Sequence, residues 1–475
     1  MAAGPVATTL DLPDVQGLVA RGYGNLNAAR FVLLGLEDAA AARRWLGEIA
    51  GTVTAGDERP ESQALNLAFT SSGLKRLGLA PEIVQQFSNE FVGGMTTEHR
   101  SRILGDLGDD APDRWDWGGP ASAPVDAALL LYARDDSELE RLAEAQLRVL
   151  AAGGLRIVRE LGTSDLDGFE PFGFRDGISQ PLLEGLSKVG PPQYTLRTGE
   201  FVLGYPNEYG RYTDRPTVEA SSDRQSLLPR DPTGSGRADL GLNGTYLVFR
   251  QLRQDVRGFW RFLDAATRRA DGSSDPAARI RLAAKTVGRW PGGAPLALAP
   301  ERDDPALAEA NDFGYFHEDR DGARCPIGSH IRRANPRDSL DPQPGSDQSL
   351  ALNRRHRILR RGREYGRSLT PEEAVAEQTG TGEDERGLHF ICLNANIARQ
   401  FEFVQHTWVN SPKFAGLYDD ADPLVAPSQP FGATFTVQSE SVRQRVTDLP
   451  RFVSVKGGAY LFLPGIAALR YLASL

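Results

Sequence analysis

Apolar and polar positions divide the chain into two runs of strands and helices separated by a long irregular stretch. Phe31 to Leu36 is an apolar run of strand length, and the alanine-rich Ala39 to Ala50 follows with Trp45 and Leu46 on one face, which predicts a helix. A second strand is expected over Ala64 to Phe69. Gly73 to Gly119 is punctuated by glycines and carries Leu74, Leu77, Phe87, Phe91 and Met95, a pattern for short helices and loops laid on a core. Ala127 to Ala133 reads as a buried strand. Ser137 opens a helix with Leu139, Leu142, Ala143, Leu147 and Leu150 at helical spacing, and Leu155 to Leu161 is again a strand. Strand-helix-strand, twice, predicts a ferredoxin-like α+β unit: an antiparallel sheet with helices on one face.

Gly185 to Gly244 is rich in Gly, Pro, Arg and Asp and predicts a long connection, a kind of segment that is usually functional or flexible. Regularity returns with strand Thr245 to Leu252 and helix Val256 to Arg268. Strand Leu388 to Leu393, helix Asn396 to Val409 and strands Phe452 to Lys456 and Ala459 to Leu463 come much later. The recurrence predicts a duplicated architecture of two ferredoxin-like domains, residues 1–180 and 181–475, with a concave site shared between their antiparallel sheets.

With 475 residues, 40% hydrophobic and 25% charged, the chain has material for two cores, which argues against disorder and coiled coil. A net charge of −9 argues against nonspecific binding to nucleic acid or anionic membranes, because phosphate contacts need a basic surface. No stretch approaches the ~20 apolar residues that cross a bilayer. Met1 to Asp14 lacks a basic region followed by an apolar run, so no export signal is expected. Cys325 and Cys392 are too few for a disulfide framework or a multi-cysteine metal site. A soluble cytoplasmic protein is expected, and a homo-oligomer is left open.

Chemistry concentrates in Phe172-Gly173-Phe174-Arg175-Asp176-Gly177-Ile178-Ser179-Gln180-Pro181, where one acid stands between two glycines and a proline stops the segment. On spacing alone the commoner reading is a turn in which Asp176 bonds its own backbone. Of the six histidines, no two have the i, i+4 spacing that binds zinc on a helix. There is no serine elbow and no phosphate-binding glycine loop. His330 lies between prolines in Cys325 to Arg337, with Gly328 and Ser329 leaving room beside the ring. A single histidine can be the axial ligand of a haem iron, whose porphyrin supplies four ligands; the plain alternative is a histidine bonded to backbone.

From Arg324 to Arg367 there are eleven arginines against four acids. Some of them, with Arg333 as a candidate, suit two carboxylates such as haem propionates. The run has too little aromatic interleaving for nucleic-acid binding. Within it, Arg357 to Gly362 has strand character, and alternation puts Arg360 on the side of Ile358, facing inward.

In this order, Gly173-x-x-Asp176-Gly177, the segment around His330 and Ile358-Leu359-Arg360-Arg361-Gly362 resemble the dye-decolorizing peroxidases, a haem family, and its longer members most. Ala68-Phe69-Thr70 with Gly73-Leu74, Phe91 to Met95, Gly288-Arg289-Trp290 and Phe452 to Gly458 extend the resemblance over nearly the whole chain. It implies two ferredoxin-like domains and one haem b per chain, bound in the second half near the domain interface. It also implies a peroxidase that reduces hydrogen peroxide and oxidises bulky dyes, phenols and related reductants, best at acidic pH. The rival is a haem carrier or iron-release protein, against which the presence of both Asp176 and Arg360 counts.

By the resemblance His330 is the proximal iron ligand, Asp176 the distal acid and Arg360 the distal arginine, with Arg361 its rival. Gly173, Phe174, Arg175 and Gly177 belong to the haem-binding segment. An axial imidazole needs an acceptor for its other N–H. Glu402, at the margin of the apolar face formed by Phe401, Val404 and Trp408, is the expected one. Trp290, Tyr365 and Trp408 are candidates for relaying electrons from reductants too large to enter a pocket.

Overall fold

The computed structural model describes residues 9–186, 194–376, 385–426 and 433–475. Three strand-to-helix joints are built alike, with an aspartate after the strand accepting a first-turn N–H and so satisfying a donor that the helix leaves open. Asp38 accepts from Ala41 N at 2.9 Å and starts α1 (Ala39–Ile49) after β1 (Ala28–Leu36). Asp135 accepts from Glu138 N at 2.9 Å and starts α2 (Asp136–Leu150), one residue before the expected Ser137. Asp255 accepts from Gly258 N at 2.8 Å and starts α3 (Val256–Ala266) after β5 (Thr245–Gln254).

The first half contributes β1, β2 (Gln63–Phe69), β3 (Ala127–Ala133) and β4 (Leu155–Gly162), hydrogen-bonded in the order β2-β3-β1-β4. The second contributes β5, β6 (Leu359–Arg360), β7 (Arg363–Tyr365), β8 (Gly387–Asn394) and β9 (Val453–Leu463), in the order β6-β8-β5-β9 with β7 also on β8. With the off-path β7 set aside, the order is second-third-first-fourth in both halves, and every pairing within this sheet is antiparallel. Two expected strands near the C-terminus form one, β9, with a register shift between Val455 and Gly457.

The two sets of strands are joined into one nine-stranded sheet, because β9 also pairs with β2 at Phe462 and Phe69. The far edges curl toward each other: Ser164 N donates to Glu364 O at 2.8 Å, and His389 Nε2 donates to Gly162 O at 2.9 Å. Phe31, Tyr132, Phe249, Ile391 and Leu461 fill the inside of the curl. Alternate residues such as Val32, Leu129 and Val248 pack outward under helices of both halves, with Trp45, Leu46 and Leu139. The expected connection Gly185 to Gly244 holds only two-residue strands and single 3-10 turns, and residues 187–193 of it lie outside the described part. No helix among the described residues is long and apolar enough to cross a membrane.

Candidate active site

Beyond β5, the outward face of the second-half strands floors a cavity of about 310 Å³, within the range of small-molecule sites. Leu252, Phe390 and Val455 come from the strands, Ile178 and Phe174 from the Asp176 loop, and Leu104 from the first half. Asp176, His330 and Arg360 all line it. Their side chains keep 35%, 32% and 30% of their surface, which opens into the cavity because Asp176 and His330 are enclosed by protein.

Arg360 Nη1 donates to Asp176 Oδ1 at 2.7 Å. Strand pairing places Arg360 opposite Cys392, and alternation sends its neighbour Arg361 the other way, where it donates to Leu18 O and Val19 O. The structure thus brings Arg360, not Arg361, to Asp176. Burial pushes the Asp176 carboxyl up, but the Arg360 charge, the Gly177 amide and His330 outweigh it and hold the group below its ordinary value. Asp176 is therefore an ionised acceptor beside a fixed cation.

The loop carrying Asp176 is pinned from outside. Trp260 Nε1 donates to Phe172 O at 3.1 Å, and the Trp260 ring is parallel to that of Phe174. Phe174 and Arg175 line the cavity, and Arg175 also pairs with Glu309 at 2.8 Å. Gly173 and Gly177, expected against the cofactor, are not among the lining residues. Their backbones have φ of +94° and +79°, which side chains disfavour, so their contribution is the shape of the loop.

His330 begins the short helix His330–Ala334. Its Nδ1 donates to Asp422 Oδ2 at 2.9 Å, a direction fixed by the ionised carboxylate having no proton to give. Among the described residues Nε2 has no partner, and it is the ring's remaining ligating atom. Burial pushes the imidazole down, the Asp422 charge and hydrogen bond push it up, and the net position is raised. Asp422 is itself fixed by Leu424 N at 2.9 Å and Val425 N at 3.1 Å on Oδ1.

Asp422 takes the place expected of Glu402. Glu402 is buried on another face, where it accepts from Tyr460 Oη at 2.8 Å and pairs with Arg100. The cause is helix geometry. Ala398–Glu402 and Val404–Val409 are π-helical, with Glu402 N reaching Ile397 O, so a face drawn at 3.6 residues per turn is misaligned. The stripe that lines the cavity is Phe401, Val404, Gln405 and Val409.

Arg333 is a second correction. It is fully buried and donates to Gly328 O, Trp408 O, Ser411 O and Asp420 O, so its guanidinium anchors the His330 helix and is not available to a cofactor. Arg289, Arg337 and Arg357 reach the cavity instead. Among the described residues the Arg357 side chain has no hydrogen bond or ion pair, and burial with the charges of Arg337 and Arg360 pushes it down to about 9. Among the described residues Arg289 Nη2 is buried without a partner, as is Ser179 Oγ on the same lining. Trp290, Tyr365 and Trp408 are all buried.

Compared with known proteins, the chain matches no family model. It is 30% identical to a dye-decolorizing peroxidase of Mycena epipterygia over 98% of its own length and 87% of the relative's. The chain belongs to the dye-decolorizing peroxidase family. A solved dye-decolorizing peroxidase with an engineered haem pocket superposes at a TM-score of 0.79 with 25% identity, covering 98% of this chain and 100% of that one. Another, in complex with 2,6-dimethoxyphenol, gives a TM-score of 0.76 with 26% identity over the same shares.

The donor set fits a haem. No group of three His, Cys, Asp or Glu that could hold a bare metal ion occurs among the described residues, so an iron at His330 would need its other ligands from a macrocycle. The walls are mostly apolar, and Arg357, without a side-chain partner among the described residues, and the half-satisfied Arg289 supply cations for two carboxylates. Asp422→Asn is expected to weaken haem retention by about 10- to 100-fold, as loss of the carboxylate behind a ligating histidine does. Glu402→Gln should leave the haem spectrum and reduction potential unchanged; a redox titration of both variants checks the pair.

Proposed function

We propose that the protein is a peroxidase carrying one haem b, which reduces hydrogen peroxide and oxidises bulky dyes, phenols and related organic reductants. One observation carries the reading: the Asp176–Arg360 ion pair shares a single cavity with the unpartnered Nε2 of His330. The family membership supports the activity, and the related phenol complex supports the class of reductant.

When bound, the haem supplies the iron that takes up peroxide and holds the oxidising equivalents until reductants consume them. His330 Nε2 would ligate it from one side, with Asp422 fixing the tautomer and raising the basicity of the ligating nitrogen. Asp176 takes the proton from one peroxide oxygen and returns it to the other, so that the second oxygen leaves as water. Arg360 stabilises the charge on the departing oxygen and keeps Asp176 ionised. Arg289, Arg337 and Arg357 would receive the two propionates. A base of such low proton affinity works at acidic pH, which is the range we assign to the enzyme.

The repeated strand order supports two ferredoxin-like units, which we place at residues 1–180 and 181–475, with the haem in the second near their interface. Two buried, unpaired cysteines suit the cytoplasmic setting expected from the sequence. The purified, haem-loaded protein should show a Soret band that shifts rapidly on mixing with hydrogen peroxide and recovers when a dye or phenol is added. An unresponsive band would leave the haem-carrier reading in its place.

A further inference from the structure

Asp176 has a carboxylate neighbour with no part in the mechanism above. Glu170 lines the same cavity. The loop between the two folds back on itself: Phe169 bridges to Arg175, Glu170 N donates to Phe174 O at 2.9 Å, and Gly173 N donates to Glu170 O at 2.8 Å. The Glu170 carboxylate is held by three donors. Oε1 accepts from Phe174 N at 3.0 Å, and Oε2 accepts from Phe172 N at 3.0 Å and Gln254 Nε2 at 2.8 Å. Beyond it, Gln254 Oε1 is buried on the cavity lining without a partner among the described residues.

Building on the peroxidase reading, we propose that Glu170 is the proton-holding partner of Asp176, a cavity carboxylic acid that supplies the protons consumed at the haem. Reduction of peroxide is H2O2 + 2 e− + 2 H+ → 2 H2O. Reductants too bulky for the cavity deliver electrons from outside, so protons must arrive through the protein. Asp176 is poorly suited to store one, because it is ion-paired with Arg360. Among the described residues Glu170 has no ion pair, although Asp106, Asp110, Arg250 and Arg289 line the same cavity; Gln254, the amides of Phe172 and Phe174, and the Asp176 charge are the main influences on it after burial. Burial pushes its carboxyl up against the three hydrogen bonds, the Asp176 charge adds to the rise, and the result is about 7. Two neighbouring carboxyls driven in opposite directions are the arrangement that separates an acid from a base.

In the step itself the Glu170 O–H bond breaks and an Asp176 O–H bond forms, directly or through one water. Asp176 then passes the proton to the oxygen being reduced, and Glu170 is refilled from solvent. Glu364 is the competing store. Burial pushes it up to about 7 as well, and it sits among Asp176, Arg363 and Asp165, but it does not line the cavity.

In the haem-loaded enzyme Glu170→Gln should lower dye turnover at acidic pH on the order of 10²-fold and remove the alkaline limb of the pH profile near neutrality. Glu364→Gln should leave both in place. Infrared pH-difference spectra give a readout independent of turnover: the protonated-carboxyl C=O band that titrates in the wild type should be missing in Glu170→Gln. Gln254→Leu removes a donor that favours the ionised form, so the midpoint of that band and the alkaline limb should move to higher pH. A wild-type band and limb in Glu170→Gln, their loss in Glu364→Gln, or an unmoved midpoint in Gln254→Leu each overturns the assignment. If Glu170→Gln does not fold, Gln254→Leu decides alone. A wild-type enzyme without peroxide-dependent turnover would instead overturn the peroxidase reading, with the infrared titration of Glu170 still readable.

Discussion

Asp176→Asn is expected to slow the peroxide-dependent Soret change by about 10²- to 10⁴-fold, the range for a positioned acid–base group, while haem binding is retained. The amide keeps the size of the carboxyl and can still accept from Arg360 through its oxygen, so the loop pinned by Trp260 has no reason to move. What it lacks is a basic oxygen for the peroxide proton. The pH dependence separates this from a general loss of structure. Asp176 acts in its ionised form and its proton affinity is held below the ordinary carboxyl value, so the wild-type rate should persist as pH falls through the ordinary carboxyl range and decline only below it. The Asn variant should show no such acid limb.

Arg360→Leu should move the acid limb the other way. Without the guanidinium the main influence left on Asp176 is burial, which raises it, so the base would be lost at a higher pH than in the wild type. Stopped-flow mixing across a pH series checks both variants. An Asn variant with the wild-type rate at every pH would remove Asp176 from the chemistry, and an unshifted limb in Arg360→Leu would detach the arginine from it.

Much of this arrangement was legible in the residues. Apolar runs of strand length followed by an aspartate mark three strand-to-helix joints, as at Leu36-Glu37-Asp38 and Gln254-Asp255, and the recurrence of strand and helix runs carries the expectation of a duplication. The period of two along Ile358-Leu359-Arg360-Arg361 separates the cavity arginine from its neighbour, because strand geometry leaves each side chain one direction.

The misses have physical causes as well. Asp422 is 92 residues from His330 and sits in a loop, so no periodicity ties the two; the cluster Asp419-Asp420-Ala421-Asp422 is the only hint. Glu402 was misplaced because a π-helical turn carries no mark in the residue pattern. The arginine run does not reveal which guanidinium closes backbone carbonyls and which remains unpaired, since Arg333 and Arg357 look alike in sequence and differ only in what the fold sets around them. Nor does an edge pairing as short as Phe69 with Phe462 leave a signature, although it turns two sheets into one.

His330→Ala should have the larger effect on the cofactor itself, abolishing the normal Soret form. Among the described residues that line the cavity His330 is the one histidine, and none of the other side chains is a cysteine or methionine that could replace its nitrogen. The loss should not spread through the fold. Asp422 keeps the amides of Leu424 and Val425 and the nearby Arg333 charge, and the short helix keeps the anchors of Arg332 on Asp319 and of Arg333 on four carbonyls. The truncated side chain also leaves a space bordered by a carboxylate that accepts an N–H. Added imidazole should enter it, donate its N–H to Asp422 and present the other nitrogen to the iron, restoring the band in the single variant. In the double variant with Asp422→Ala that rescue should fail, because nothing remains to orient the added ring. Retention of the wild-type band by His330→Ala without imidazole would show that the iron is held from elsewhere, and the roles assigned to Asp422 and to the opposite pair Asp176 and Arg360 would then have to be drawn again around a different axis.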